Sequence, residues 1–239
     1  MRTVSHGHQR RAVVAEFLGT ALLLAGVVGS GIMAQRLAQG NDALALLANA
    51  LATGFLLPVL ILLFAPFSGA HFNPVVSFVE TLSGRLHVRT LALYSFAQTA
   101  GALAGTWLAH GMFALPVLQL STHARTGTAQ WASEGVATFG LVLIVLLRRQ
   151  ISAGVLPWAI GAYIAAAYWF TASTSFANPA VTFARALTDT FAGIRLADAP
   201  AFMLAQFAGA LAALLVSRWL LHPSPSPSLS QTSPHADEN

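Results

Sequence analysis

Two hexapeptides constrain this chain more than any other feature: NPVVSF beginning at Asn73 and NPAVTF beginning at Asn178. They sit in two stretches that break the pattern around them. Elsewhere the sequence is a succession of apolar runs at 12–33, 43–66, 88–110, 130–147, 153–172 and 200–221, each near the ~20 residues that a bilayer core of ~30 Å asks of a helix. By contrast, SGAHFNPVVSFVETLSGR opens with turn residues, and its helical pattern from Asn73 to Ser83 spans only ~16 Å at ~1.5 Å per residue. STSFANPAVTFARALTD behaves likewise, with a short helical pattern from Asn178 to about Asp189. Each stretch is half a crossing. Non-helical backbone at membrane depth is tolerated only where it packs in protein or lines a water-filled cavity, so two re-entrant half-helices stacked end to end point to a pore.

Composition excludes the competing classes. With 56% hydrophobic and 8% charged residues the chain lies far below the ~25% charged content of a soluble domain. Disorder is excluded except in the Pro/Ser-rich segment 222–239, which is expected to be a disordered cytoplasmic tail. The pI near 10.7 comes from twelve arginines against eight acidic residues, with no lysine and no basic run longer than two, which is too sparse to track a nucleic-acid backbone. The absence of Cys removes disulfides, thiolate metal sites and cysteine nucleophiles. No metal, no cofactor and no catalysis are expected, and the lipid bilayer is the expected partner of the apolar runs. The first apolar run exceeds the ~7–15 residues of a signal-peptide core and reads as an uncleaved span. Placing both termini in the cytoplasm puts Arg2, Arg10, Arg11, Arg85, Arg89, Arg148, Arg149 and Arg218 inside. Arg36, Arg125, Arg185 and Arg195 then lie outside, a bias in the expected direction.

The two boxes belong to a longer internal repeat. Glu16 and Thr20 in AEFLGT return as Glu134 and Thr138 in SEGVAT, and AQTAGALA at 97 returns as AQFAGALA at 205, in the same order as the boxes. Each copy carries three spans and one half-helix, and an odd span count makes the second copy enter from the opposite side. The expected fold is therefore an all-α membrane protein of six transmembrane helices and two re-entrant half-helices in an inverted repeat. It forms a single channel domain over 1–221, with repeat one about 11–110 and repeat two about 130–221. Ala97, Gly101, Gly105 and Ala109, and their counterparts Ala205, Gly209 and Ala213, form small-residue faces for close helix packing.

At each box, Asn is a preferred N-cap and Pro suits the first helical position. Capping uses the Asn carbonyl oxygen and leaves both amide N–H donors for a passing solute. The buried Glu16 and Glu134 admit a proton-relay reading, but their symmetric placement favours a brace that accepts backbone N–H groups of the re-entrant loops.

The chain resembles the major intrinsic protein family, the aquaporins and aquaglyceroporins, from about Arg11 to Leu221, on the strength of SGAHFNPVVS and SFANPAV. The resemblance implies passive conduction through each protomer, a homotetramer, and the inner (cytoplasmic) membrane as location. It also implies pore boxes at Asn73, Pro74, Val75, Asn178, Pro179 and Ala180, and a loop brace of Glu16, Glu134 and His71. Family spacing implies a constriction of Thr53, Ala166, Ser175 and Val181, with Tyr168 as the alternative to Ala166. Most members have Arg where this chain has Val181. A ring of Thr, Ala, Ser and Val suits uncharged solutes larger than water: glycerol-like polyols, arsenous acid and related neutral metalloids. With TFARALTDTFAGI, the Val replacement resembles bacterial aquaglyceroporins associated with arsenic-resistance operons. A secondary transporter and a water-selective channel are the alternatives. Arg185 and Glu80 lie at matching places beyond their Asn residues. Arg185 is read first as an i,i+4 partner of Asp189, and second as a substitute for the missing cation.

Overall fold

The computed structural model describes residues 6–222; apart from His222, the tail expected to be disordered lies outside the described residues. The helices are α1 (His6–Leu37), α2 (Asp42–Ser68), α3 (Pro74–Leu82), α4 (Val88–Met112), α5 (Thr128–Leu146), α6 (Leu156–Phe170), α7 (Pro179–Arg185) and α8 (Ala199–Leu220). Among the described residues, four stretches are long and apolar enough to cross a membrane: Gly7–Leu37, Asp42–Ser68, Thr128–Leu146 and Ala199–Leu220.

The other two expected spans depart from the simple pattern. α4 has the length, 25 residues, but turns Gln98, Thr106 and His110 inward, and these buried polar groups lower its apolarity. α6 has 15 residues, about 22 Å, and is shorter than the expected 153–172. The chain before it forms a turn in which Val155 N donates to Ser152 O at 3.0 Å, and beyond Phe170 the backbone turns extended at Thr171.

The half-helix α3 lies close to its expected bounds. α7 stops at Arg185, short of the expected Asp189, because the carbonyls that would continue it are taken elsewhere. Arg185 O accepts from Ile194 N at 3.1 Å and Ala186 O from Ser121 N at 3.0 Å.

The packing follows the repeat. α1 rests on α4 and α2 as α5 rests on α8 and α6, α2 meets α6, and α3 and α7 meet each other at the centre. The small-residue faces bring helix backbones against each other. A Cβ on Gly105 would collide with the Ala21 carbonyl, and one on Gly209 with that of Gly135, so each glycine lets a helix backbone approach its neighbour directly.

Candidate functional site

The site begins with two local caps. Asn73 Oδ1 accepts from Val75 N at 2.9 Å, and Asn178 Oδ1 accepts from Ala180 N and Val181 N at 3.0 and 3.3 Å. Pro74 and Pro179 open the half-helices, where the missing N–H costs nothing. The amide nitrogens correct the expectation of two free donors each. Asn73 Nδ2 donates to Ala177 O at 2.7 Å and Asn178 Nδ2 to Phe72 O at 2.8 Å. An Asn amide carries two hydrogens, so each Asn spends one on tying the opposite loop and keeps one for the cavity.

Those loops hold unusual backbone. Ala70, Phe72, Ser175 and Ala177 have φ of 51°, 48°, 51° and 48°, a left-handed conformation uncommon for residues with a Cβ. Such strain persists only where the surroundings over-determine it, and two buried carboxylates do so. Glu16 accepts from Ser68 Oγ, His71 N, Phe72 N and Gln98 Nε2 at 2.6, 2.9, 2.7 and 2.7 Å. Glu134 accepts from Ser173 Oγ, Phe176 N, Ala177 N and Gln206 Nε2 at 2.6, 2.8, 2.9 and 2.6 Å. Every partner of one has its equivalent in the other. A carboxylate offers about four acceptor sites, and each Glu fills them with fixed donors, an arrangement that suits a brace and leaves no position for a relayed proton. His71 joins the same network through Nδ1 and Ser77 Oγ at 2.9 Å.

Between these loops and helices α1, α2, α5 and α6 runs a cavity of about 620 Å³, with Arg148 at one end and Arg185 at the other. Leu23, Val27, Ile61, Leu141, Ile160 and Ile164 make an apolar wall, and Asn73, Asn178, Thr53 and Ser175 supply polar groups. Thr53, Ser175 and Val181 line this cavity. Ala166 does not: it lies on the exposed face of α6. Tyr168, two residues or about 200° round the helix, lines the cavity, with its hydroxyl 3.3 Å from Thr53 Oγ1. The inward face of α6 is Ile160, Gly161, Ile164, Ala167 and Tyr168, a helical stripe that excludes Ala166.

The expected Arg185–Asp189 pair is absent. Asp189 instead accepts from Thr122 N and Oγ1 at 2.8 and 2.9 Å; these two donors, the backbone N–H foremost, hold its carboxyl below the usual carboxylate range. Arg185 is buried on the cavity wall, donating through Nε to Ala192 O and lying over Phe176. Its repeat equivalent Glu80 accepts from Arg85 Nε at 2.7 Å and Arg148 Nη1 at 2.6 Å. Among the described residues no group of three or more His, Asp or Glu could hold a metal ion.

Sequence reasoning missed Gln98, Gln206, Ser68, Ser173, Arg125 and Arg148. The two Gln residues carried a readable signal, since each is the one long polar side chain in its copy of the AQxAGALA repeat. Arg125 did not: it reaches from the α4–α5 loop to Gly193 O at 2.8 Å and Ser173 O at 3.3 Å, contacts that exist only in the folded chain.

The family model described as Major intrinsic protein matches residues 3–152 and 148–237. The chain is 58% identical over 224 residues to Aquaglyceroporin AqpS of Rhizobium meliloti (strain 1021), covering 94% of this chain and 95% of that protein. It is 35% identical over 202 residues to Aquaporin TIP2-3 of Zea mays, covering 77% and 78%. The X-ray structure of the aquaglyceroporin from Plasmodium falciparum superposes with a TM-score of 0.68 at 21% identity, covering 88% of this chain and 95% of that one, a likeness of fold.

Proposed function

The chain belongs to the major intrinsic protein family, and from that premise we propose that it conducts small uncharged solutes passively through the cavity between Arg148 and Arg185, without catalysis. Glycerol-like polyols, arsenous acid and related neutral metalloids are the proposed solutes, with water passing beside them. One observation carries the reading: an apolar wall faces a line of polar groups along one cavity that passes both Asn-Pro boxes. A solute with hydroxyls on one side and carbon or a metalloid on the other satisfies both faces at once.

The proposed constriction is Thr53, Tyr168, Ser175 and Val181. Tyr168 narrows the ring that Ala166 would have left wide, while Val181 leaves open the space a longer cation would fill. The remaining amide donors of Asn73 and Asn178 form the central station, and the half-helix N-termini meeting there, each ~+0.5 in charge, disfavour cations, as in aquaporin-type pores generally. Glu16, Glu134 and His71 brace the loops. The channel unit is proposed as 1–221, with repeats about 11–110 and 130–221.

The chain is an integral multi-pass membrane protein. A homotetramer in the inner membrane is the proposed assembly, with both termini cytoplasmic, an orientation that the arginine bias along the sequence supports. The test is stopped-flow light scattering of proteoliposomes under gradients of glycerol, arsenous acid and sorbitol, with and without a proton gradient. Glycerol and arsenous acid flux that tracks the solute gradient alone is expected. Flux that accumulates solute, or collapses when the proton gradient is dissipated, would instead identify a secondary transporter.

A further inference from the structure

Arg185 is an ionisable group inside the membrane domain with no counter-ion, and such a group is by default functional. It is 2% exposed and lies on the wall of the cavity. Its Cζ is 3.3 Å from the centre of the Phe176 ring, and Nε donates to Ala192 O. Nε is its one hydrogen-bonding nitrogen among the described residues, and the side chain forms part of the cavity wall. None of the three ion pairs among the described residues includes it. An unpaired guanidinium sealed in an apolar interior would be strongly unfavourable, and the space that Arg185 lines is the cavity with its polar groups.

The opposite end of the cavity shows the contrast. Arg148 also lines it, but its guanidinium is neutralised by Glu80 at 2.6 and 3.1 Å. Glu80 and Arg185 occupy equivalent positions of the repeat, so the symmetry breaks where charge is concerned: at one end Arg85 and Arg148 share the Glu80 carboxylate, and at the other Arg185 has no carboxylate partner among the described residues. Arg125 reinforces that end, with its Cζ 5.2 Å from the same Phe176 ring. A ring's negative face attracts cations, and Phe176 is itself held edge-on by Phe202 at 5.3 Å.

We propose that Arg185 is the charge-selecting residue of this channel: displaced one turn along α7 from the position that Val181 occupies, it supplies the positive charge that excludes cations and hydronium while neutral solutes pass. The proposal rests on the channel reading above. It lets an uncharged constriction exclude ions, because the charge stands one turn from Val181 and leaves the ring itself unobstructed.

The chain has no lysine, which allows a test in the folded protein. Arg185→Lys introduces a single lysine that retains the charge, and a small amine acylating reagent then removes that charge in place. Proteoliposomes of the full chain are assayed for proton leak under a potassium diffusion potential and for glycerol flux, with acylation followed by mass spectrometry. The parent, treated identically, controls for the N-terminal amine. Arg185→Lys is expected to exclude protons as the parent does. After acylation its leak is expected to rise by about tenfold or more, a barrier change of ~1.4 kcal/mol, with glycerol still conducted. Arg185→Gln should show the same leak, and adding Val181→Arg to it should restore exclusion. The proposal is overturned if the lysine is not acylated, if Arg185→Lys already leaks, or if the acylated channel conducts glycerol with parental proton tightness. Absence of glycerol flux in the parent would refute the channel reading itself, a result separable from all of these.

Discussion

Glu134→Gln changes one oxygen for an amide nitrogen at nearly constant volume, and the hydrogen-bond network lets its consequence be worked through atom by atom. The retained carbonyl oxygen can still accept from Ser173 Oγ and Phe176 N, which share one carboxylate oxygen. The new amide nitrogen faces two other donors, Ala177 N and Gln206 Nε2. Gln206 can answer by turning its own amide over, because its Oε1 is buried without a partner. That turn forfeits the 2.8 Å bond from Gln206 Nε2 to Thr182 Oγ1. Ala177 N has no such escape, and a buried orphan donor costs about 1–3 kcal/mol. Converting the two surviving charge-assisted bonds to neutral ones costs about 1 kcal/mol each. With about 1 kcal/mol more for the forfeited Thr182 bond, the total is about 4–6 kcal/mol, falling on the loop whose Ala177 carbonyl holds Asn73. Equilibrium unfolding in mixed SDS micelles measures it, and glycerol flux per folded protomer should drop in parallel. Glu16→Gln should behave alike, since Gln98 Oε1 is also unpartnered. A Glu134→Gln channel within ~1 kcal/mol of the parent would refute the brace; the size of one net hydrogen bond sets that threshold.

Val181→Arg adds a long planar cation to the constriction. It should slow the largest neutral solutes by about tenfold or more (~1.4 kcal/mol), glycerol less and water least; unchanged flux of the largest solute in liposomes would remove Val181 from the constriction. Asn178→Asp keeps the cap but sets a carboxylate oxygen against Phe72 O where an N–H now donates. A loss of about 1–3 kcal/mol and a measurable cation leak are expected, and parental ion tightness would count against the amide station. Asp189 has its carboxyl held below the usual range by Thr122, so its hold on the α4–α5 loop is fully present above ~pH 4 and is lost as pH falls through the depressed value. Limited proteolysis of that loop across pH 2–5 should show protection fading only at the acidic end; fading from pH 5 downward would contradict it.

What the sequence determined by itself is what short-range chemistry dictates. The capping geometry of Asn73 and Asn178 involves partners two or three residues away, and Pro at the next position follows from the same helix end. The spans follow from apolar length, and the pairing of Glu16 with Glu134 follows from the repeat, which displays twice whatever the fold uses twice. Gly105 and Gly209 were legible as close contacts because small residues at a spacing of four share one helix face.

The tertiary structure decided everything that depends on which atoms meet across long stretches of chain. Ala166 and Tyr168 are two residues apart, about 200° round a helix, and periodicity in an apolar span could not choose between them. Only the packing of α6 on α2 turns the phenol toward Thr53. The second amide hydrogen of each Asn goes to a carbonyl more than a hundred residues away. Arg185 lost its expected local partner because Thr122, from another loop, satisfied Asp189 first. A helix offers i,i+4 pairs worth only ~0.2–0.5 kcal/mol, too little to hold a guanidinium against a folded loop that claims its partner and a Phe176 ring that receives it.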